Sequence, residues 1–232
     1  MGVLESSIAY MQNRFPEINT VQIADGILFR GRFIIKAQHN DFVVQVAPLL
    51  ELFLPNNYPI GLPSVKDIDN VITYDHKFTN GCLCVSTMFD LQLKLKNSKC
   101  ISDYIDSFLI PYFISYEYWK ENNIDIFGDR SHAIIGVFES IQDFLCISKD
   151  DFLLFKILIC WASRIKKFKR VVSPSNRIFF LQKYSQKIAV LRELGITRLK
   201  AIYKLINICE NTPPDKLSNN NELKRLYDLA CS

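Results

Sequence analysis

The chain has 232 residues, 49% of them hydrophobic and 12% aromatic, with a formal net charge of +4. That is enough apolar material for one ordinary domain with an extension, or for two small domains, and it excludes wholesale disorder. The charge is uneven: residues 1–150 carry 12 Lys/Arg against 18 Asp/Glu, and residues 151–232 carry 16 against 6, so the C-terminal part is the half expected to seek an acidic partner surface or nucleic acid.

The opening MGVLESSIAYMQNRF has no basic segment followed by an apolar core, and runs such as 152–162, interrupted by Lys156, are too short to span a bilayer. A cytoplasmic protein that engages no membrane is expected. Within that opening, Leu4, Ile8, Met11 and Phe15 fall at helical spacing, which predicts an amphipathic helix ended by Pro16. From residue 20 to residue 54 the pattern changes to β-branched and aromatic runs. VQI, ILFRGRFIIKA, DFVVQVA and LLELFL, punctuated by Gly26, Gly31 and His39-Asn40-Asp41, predict an antiparallel meander of three or four strands. PNNYPIGLP then stiffens an irregular connection, and SVKDI offers one more strand.

Past residue 85 the chain reads as helical. Residues 101–120 form an apolar helix with Ser102 as N-cap and Pro111 as a kink or break; residues 133–146 carry a wide apolar face. A capping-box-like start at Ser148 opens the next helix, which runs into the basic stretch 164–170. Ser173-Pro174-Ser175-Asn176 reads as a junction, followed by helices near 179–194, 197–209 and 221–229. A helix, a meander, a loop and then helices amount to an α+β plan with segregated elements.

The seven cysteines show neither a disulfide framework nor a paired C-x-x-C zinc site. Cys146, Cys160 and Cys209 lie in apolar helical stretches and are expected as buried thiols. Cys82 and Cys84 instead follow an Asn80-Gly81 turn, with His76 eight residues before Cys84. If this segment is extended, Leu83 and Val85 point to the core while Cys82 and Cys84 face the other way. A Cys with a nearby His is by itself a weak signal, and a His bonded to backbone is the simpler account. No cofactor or metal is expected: His76, Cys82, Cys84 and His132 could supply four ligands, but C-x-C is an uncommon zinc spacing.

The wider pattern is more specific. Tyr58-Pro59, Pro63, His76 and then Asn80-Gly81-Cys82-Leu83-Cys84 resemble the active-site region of ubiquitin-conjugating enzymes, in which a Tyr-Pro-x-x-x-Pro turn, a His-Pro-Asn motif and Asn-Gly-x-Ile-Cys follow a meander. Tyr118-Trp119 and Gly128-Asp129-Arg130-Ser131-His132 are similar to segments of the divergent bacterial branch found in antiphage operons such as type II CBASS. The resemblance implies a ubiquitin-conjugating-enzyme-like fold over residues 1–168 and a basic helical extension over 169–232. It further implies a catalytic Cys84 that accepts an activated protein C-terminus as a thioester and passes it to an amine, with His76 and His132 as assisting site residues. The implied partners are a separate adenylating enzyme and, as acyl donor, a ubiquitin-like protein or the C-terminus of a cyclic-nucleotide synthase. Lys77-Phe78 stands where the family has Pro-Asn, so a non-catalytic binding or adaptor module of the same fold is the alternative. The basic run 164–170 lacks an accompanying nucleic-acid motif, and a nucleic-acid partner is not expected.

Overall fold

The computed structural model describes residues 2–127, 133–148, 152–164, 174–193 and 196–211. The chain groups into two compact units, Met1–His132 and Ala133–Ser232. The division expected at 168/169 lies outside the described residues.

In the first unit the predicted N-terminal helix forms as α1 (Val3–Arg14). Its acidic Glu5 sits in the first turn, where the Oε2 accepts the Gly2 N–H at 2.9 Å, a favourable placement against the helix dipole. Met11 and Phe15 are fully buried. The strands are β1 (Ile18–Ile23), β2 (Gly26–Arg32), β3 (Ile35–His39), β4 (Phe42–Val46), β5 (Leu49–Pro55) and β6 (Ser64–Asp67). They build a four-stranded antiparallel sheet of order β1-β2-β5-β6 and a separate two-stranded hairpin, β3-β4.

This corrects the expected meander in one respect. ILFRGRFIIKA is not one strand, and DFVVQVA is not a member of the main sheet; SVKD takes the fourth place. The ladder breaks where Phe33 faces Pro48. Proline has no N–H to give, so only the bond from Phe33 N to Pro48 O, at 3.0 Å, spans this point. Phe33 turns into the core against Phe15, with ring centroids 4.9 Å apart. Gly31 sits so close to β1 that a Cβ there would meet Glu17 O at 2.3 Å. The two halves of the long ribbon therefore separate at a bend set by a missing donor and a buried ring.

One face of the sheet carries the core. Ile27, Phe29, Leu50, Leu52, Leu54 and Val65 alternate inward and are almost completely buried, each aliphatic side chain contributing about 2 kcal/mol. Against them packs a long helical stretch in three pieces, α3 (Ser102–Tyr104), a π-helical segment (Ile105–Leu109) and α4 (Ile110–Asn122). Tyr104, Leu109 and Phe113 from this stretch are buried. Pro111 neither breaks nor ends the stretch. The π segment precedes it, and the Ile110 N–H reaches back to Ile105 O, so the chain widens by one residue just before the proline. Ser102 is the first helical residue rather than the cap, because Ile101 O accepts the N–H of Ile105 at 3.1 Å. A shorter helix, α2 (Met88–Leu95), starts at Thr87, whose Oγ1 accepts the Asp90 N–H.

The second unit contains α5 (Ala133–Leu145), α6 (Phe152–Ala162), α7 (Pro174–Glu193) and α8 (Ile196–Asn211). Ile141, Leu145, Phe155, Leu158, Leu191 and Leu205 form its buried centre. Of the junction expected at 173–176, residues 174–176 are the start of α7, with Pro174 at the first helical position, where its missing N–H has no partner to lose. Cys160 is buried as expected, but Cys146 is exposed. It closes α5 in the left-handed conformation, φ 56°, and the Ile147 N–H bonds Gln142 O at 3.0 Å across it. The helix expected at 221–229 and the side chain of Cys209 lie outside the described residues. No described helix is long and apolar enough to cross a membrane.

Candidate functional site

The site is built outward from the edge of the main sheet. After β5, Asn56 anchors the connection: its Nδ2 donates to Ala24 O at 2.9 Å and its backbone N–H to Asp25 O at 3.0 Å. The Tyr58-Pro59 peptide is cis, and the buried Tyr58 hydroxyl bonds Ser98 Oγ at 2.7 Å and Cys100 O at 3.2 Å. These ties fix where β6 begins. At its far end Asp67 turns a fully buried carboxylate inward, and Oδ2 accepts the Ile72 N–H at 2.8 Å and the Lys77 ammonium at 3.1 Å. Lys77 also donates to Asn70 Oδ1 at 2.8 Å. A single carboxylate thus gathers residues 67–77 into a closed loop.

The chain then makes a tight hairpin. Phe78 N donates to Cys82 O at 2.8 Å and Gly81 N to Phe78 O at 2.9 Å, with Gly81 at φ +86°. This is the three-residue loop that ends on a left-handed residue, which glycine adopts without the clash of a Cβ. Asn80 Oδ1 accepts the Cys82 N–H at 3.0 Å, so the Asn-Gly pair serves the turn itself. The returning strand is stitched on both sides. Toward β6, Leu83 N donates to Val65 O at 2.8 Å and Asp67 N to Gly81 O at 3.0 Å; toward the loop, Cys84 N donates to His76 O at 2.8 Å. Bridges pair Lys66 with Cys82 and Lys77 with Leu83.

This register sets the chemistry. With Lys77 opposite Leu83, His76 stands opposite Cys84, and directly opposed residues carry Cβ atoms about 4.5–5.5 Å apart. Leu83 is buried in the core and Val85 packs at its margin, as alternation predicts, while Cys82 and Cys84 are half-buried. Burial pushes the Cys84 thiol up from its ordinary value, because the thiolate loses hydration that the thiol does not need. It also pushes the Tyr104 and Tyr112 phenols well up, and the nearby Cys84 adds to both effects. At neutral pH this neighbourhood favours the protonated sulfur, so nucleophilic attack requires a proton acceptor.

An acid–imidazole pair lies beside it. His76 Nε2 is 3.8 Å from Asp125 Oδ2, with both side chains largely shielded. The Tyr74 hydroxyl and Ser115 Oγ both donate to the other carboxylate oxygen, Oδ1. Tyr74 also stacks obliquely on the imidazole, with centroids 4.8 Å apart, and is itself held by Tyr112, Tyr116 and Trp119. The structure therefore brings together two of the three expected site residues, Cys84 and His76; His132 lies outside the described residues. It adds Asp125, Tyr74 and Ser115. No motif marks Asp125, which follows α4 and is brought back to His76 by the packing of that helix. Tyr74, two residues before His76, had only its alternation with His76 to announce it. Among the described residues no group of three or more His, Cys, Asp or Glu side chains gathers as a metal site.

No family model matches the chain, and no curated protein or solved structure matches it either.

Proposed function

We propose that this protein is a cysteine-dependent acyl carrier and transferase of the ubiquitin-conjugating type. It takes an activated protein C-terminus as a thioester on Cys84 and passes the acyl group to an amine. The observation that carries the reading is the pinned hairpin, which holds Cys84 opposite His76 at the edge of a four-stranded antiparallel sheet. Thioester exchange asks little beyond this: a positioned sulfur, a carbonyl, donors for the developing oxyanion and somewhere for a proton to go. A thiol raised by burial suits a carrier, because a more basic thiolate is a poorer leaving group and its thioester is lost more slowly to water. The α+β order of helix, antiparallel sheet, site loop and helices agrees with the fold such enzymes have.

Asn80 is committed to its turn. Transfer to the amine therefore falls to His76 and its acid partner. The acyl donor is a ubiquitin-like protein or the C-terminus of a cyclic-nucleotide synthase in a bacterial antiviral system. A separate adenylating enzyme activates it, and the basic C-terminal residues serve as a docking surface for that enzyme. The test is capture of conjugates in cells. Wild-type protein gives an adduct cleaved by thiols, and Cys84→Ser gives an oxyester that resists thiols and neutral hydroxylamine, with mass spectrometry naming the cargo. Absence of any adduct at Cys84, with function intact in Cys84→Ala, favours a non-catalytic binding module.

A further inference from the structure

Three groups converge on one carboxylate in the first unit, and their geometry is more specific than shared burial. Asp125 Oδ1 takes two hydroxyl donors, from Tyr74 and Ser115, while Oδ2 is left facing His76 Nε2 at 3.8 Å. Ser115 is buried on α4 and Tyr74 is buried under Tyr112, Tyr116 and Trp119. The carboxylate thus cannot rotate without abandoning both hydroxyls. The imidazole is restrained too, by the ring of Tyr74 on one side and by a backbone whose carbonyl bonds Cys84 N at 2.8 Å.

We propose that Asp125 is a positioning residue that fixes His76 as the Nε2–H tautomer, leaving Nδ1 as the nitrogen that handles the proton at Cys84. The inference rests on the thioester reading for its consequence but not for its geometry. A carboxylate facing Nε2 favours a proton on that nitrogen and raises the basicity of the other. In the transfer step the amine nitrogen attacks the thioester carbonyl carbon, the C–N bond forms and the C–S bond breaks. The proton shed by the amine passes to His76 Nδ1 and from there to the departing Cys84 sulfur, so both groups end as they began before loading. Tyr74 and Ser115 act one step further back, by holding the carboxylate.

The test has two arms that fail separately. The chain has three histidines, so the His76 signals in a long-range proton–nitrogen-15 spectrum are assigned by their loss in His76→Asn. Wild-type neutral His76 shows the Nε2–H pattern, Asp125→Asn shows a mixture of tautomers, and Asp125→Glu restores the single form. An Nδ1–H pattern in the wild type, or an unchanged pattern in Asp125→Asn, overturns the proposal, and the wild-type spectrum decides even if Asp125→Asn does not fold. In the second arm Cys84 is loaded by exchange with a peptide thioester of 2-mercaptoethanesulfonate, and its discharge to lysine amide is followed in a single turnover by mass spectrometry of the Cys84 peptide. Discharge slows about 100-fold in Asp125→Asn and recovers substantially in Asp125→Glu. Equal discharge rates refute the role of Asp125. Failure of the wild type to load Cys84 at all refutes the thioester reading and leaves the spectroscopic arm standing.

Discussion

Replacing Lys77 with Met tests whether the loop before the hairpin is held by one buried ion pair. Asp67 has no exposed side-chain surface, Lys77 retains 13%, and their charged atoms are 3.1 Å apart. At an effective dielectric near 20 such a pair attracts by about 5 kcal/mol, much of it offset by desolvation of the carboxylate. Removing one partner of a buried pair costs about 3–5 kcal/mol, because the remaining charge is stranded. Here the Ile72 N–H still serves Asp67 Oδ2, and Oδ1, which already has no hydrogen-bond partner among the described residues, loses nothing when the lysine goes. The expected loss is therefore about 3 kcal/mol, near the lower end of that range. Urea unfolding of Lys77→Met, Asp67→Asn and the double variant measures it. The double variant should be more stable than Lys77→Met by about 1 kcal/mol or more, since the amide keeps an acceptor for Ile72 without a charge to strand. Lys77→Met within about 0.5 kcal/mol of wild type, the range of an ordinary surface change, would refute the assignment of a buried staple.

The hairpin itself gives a second expectation. Gly81 holds φ +86°, and the nearest atoms a Cβ there would meet are Lys66 Cε at 3.3 Å, Asp67 O at 3.4 Å and Lys66 Cγ at 3.5 Å, so Gly81→Ala should cost about 1–2 kcal/mol, mostly from backbone strain. Equilibrium unfolding reads this, and unchanged stability would contradict the turn. The thiol gives a third, in its pH dependence. Burial raises Cys84 above the ordinary thiol value, so its alkylation by iodoacetamide should be slow at pH 7 and keep rising at pH values where a free thiol has levelled off. The linked stability has a definite sign: above the unfolded thiol pKa the native state holds a proton that the unfolded chain has released. Stability is therefore lost as pH rises through that window, and the loss should disappear in Cys84→Ala. A Cys84 alkylation profile matching that of a free thiol would refute the burial argument.

Much of the frame was legible because it rests on local signals. The spacing of Leu4, Ile8, Met11 and Phe15 marks α1, and Asn80-Gly81 marks the turn that presents Cys84. The bend at Phe33 and Pro48 was hidden within a strand-like run, ILFRGRFIIKA, in which nothing local shows that a proline fifteen residues later will sit opposite Phe33 without a donor. The half of the site contributed by Asp125 and Ser115 was equally hidden. Both belong to the long helical stretch or the turn after it, and periodicity states that a helix has a buried face without stating which strand or loop it meets. Cys146 was misplaced for a related reason: an apolar stretch announces a buried face, but the residue that ends the helix in a left-handed conformation is turned out of it.

The π-helical segment bears on how tightly the site is specified. Each residue of an α-helix advances the next by roughly 100°, so the extra residue accommodated at Ile105–Leu109 rotates everything after it by about that angle. Tyr112, Ser115, Tyr116 and Trp119, which grip Tyr74 and Asp125, all lie after it. The widened turn therefore works as a phase setter: it keeps the helix continuous while deciding which of its faces reaches the imidazole. A one-residue deletion there would regularise the helix and carry its hydroxyl and aromatic row a quarter-turn away from His76.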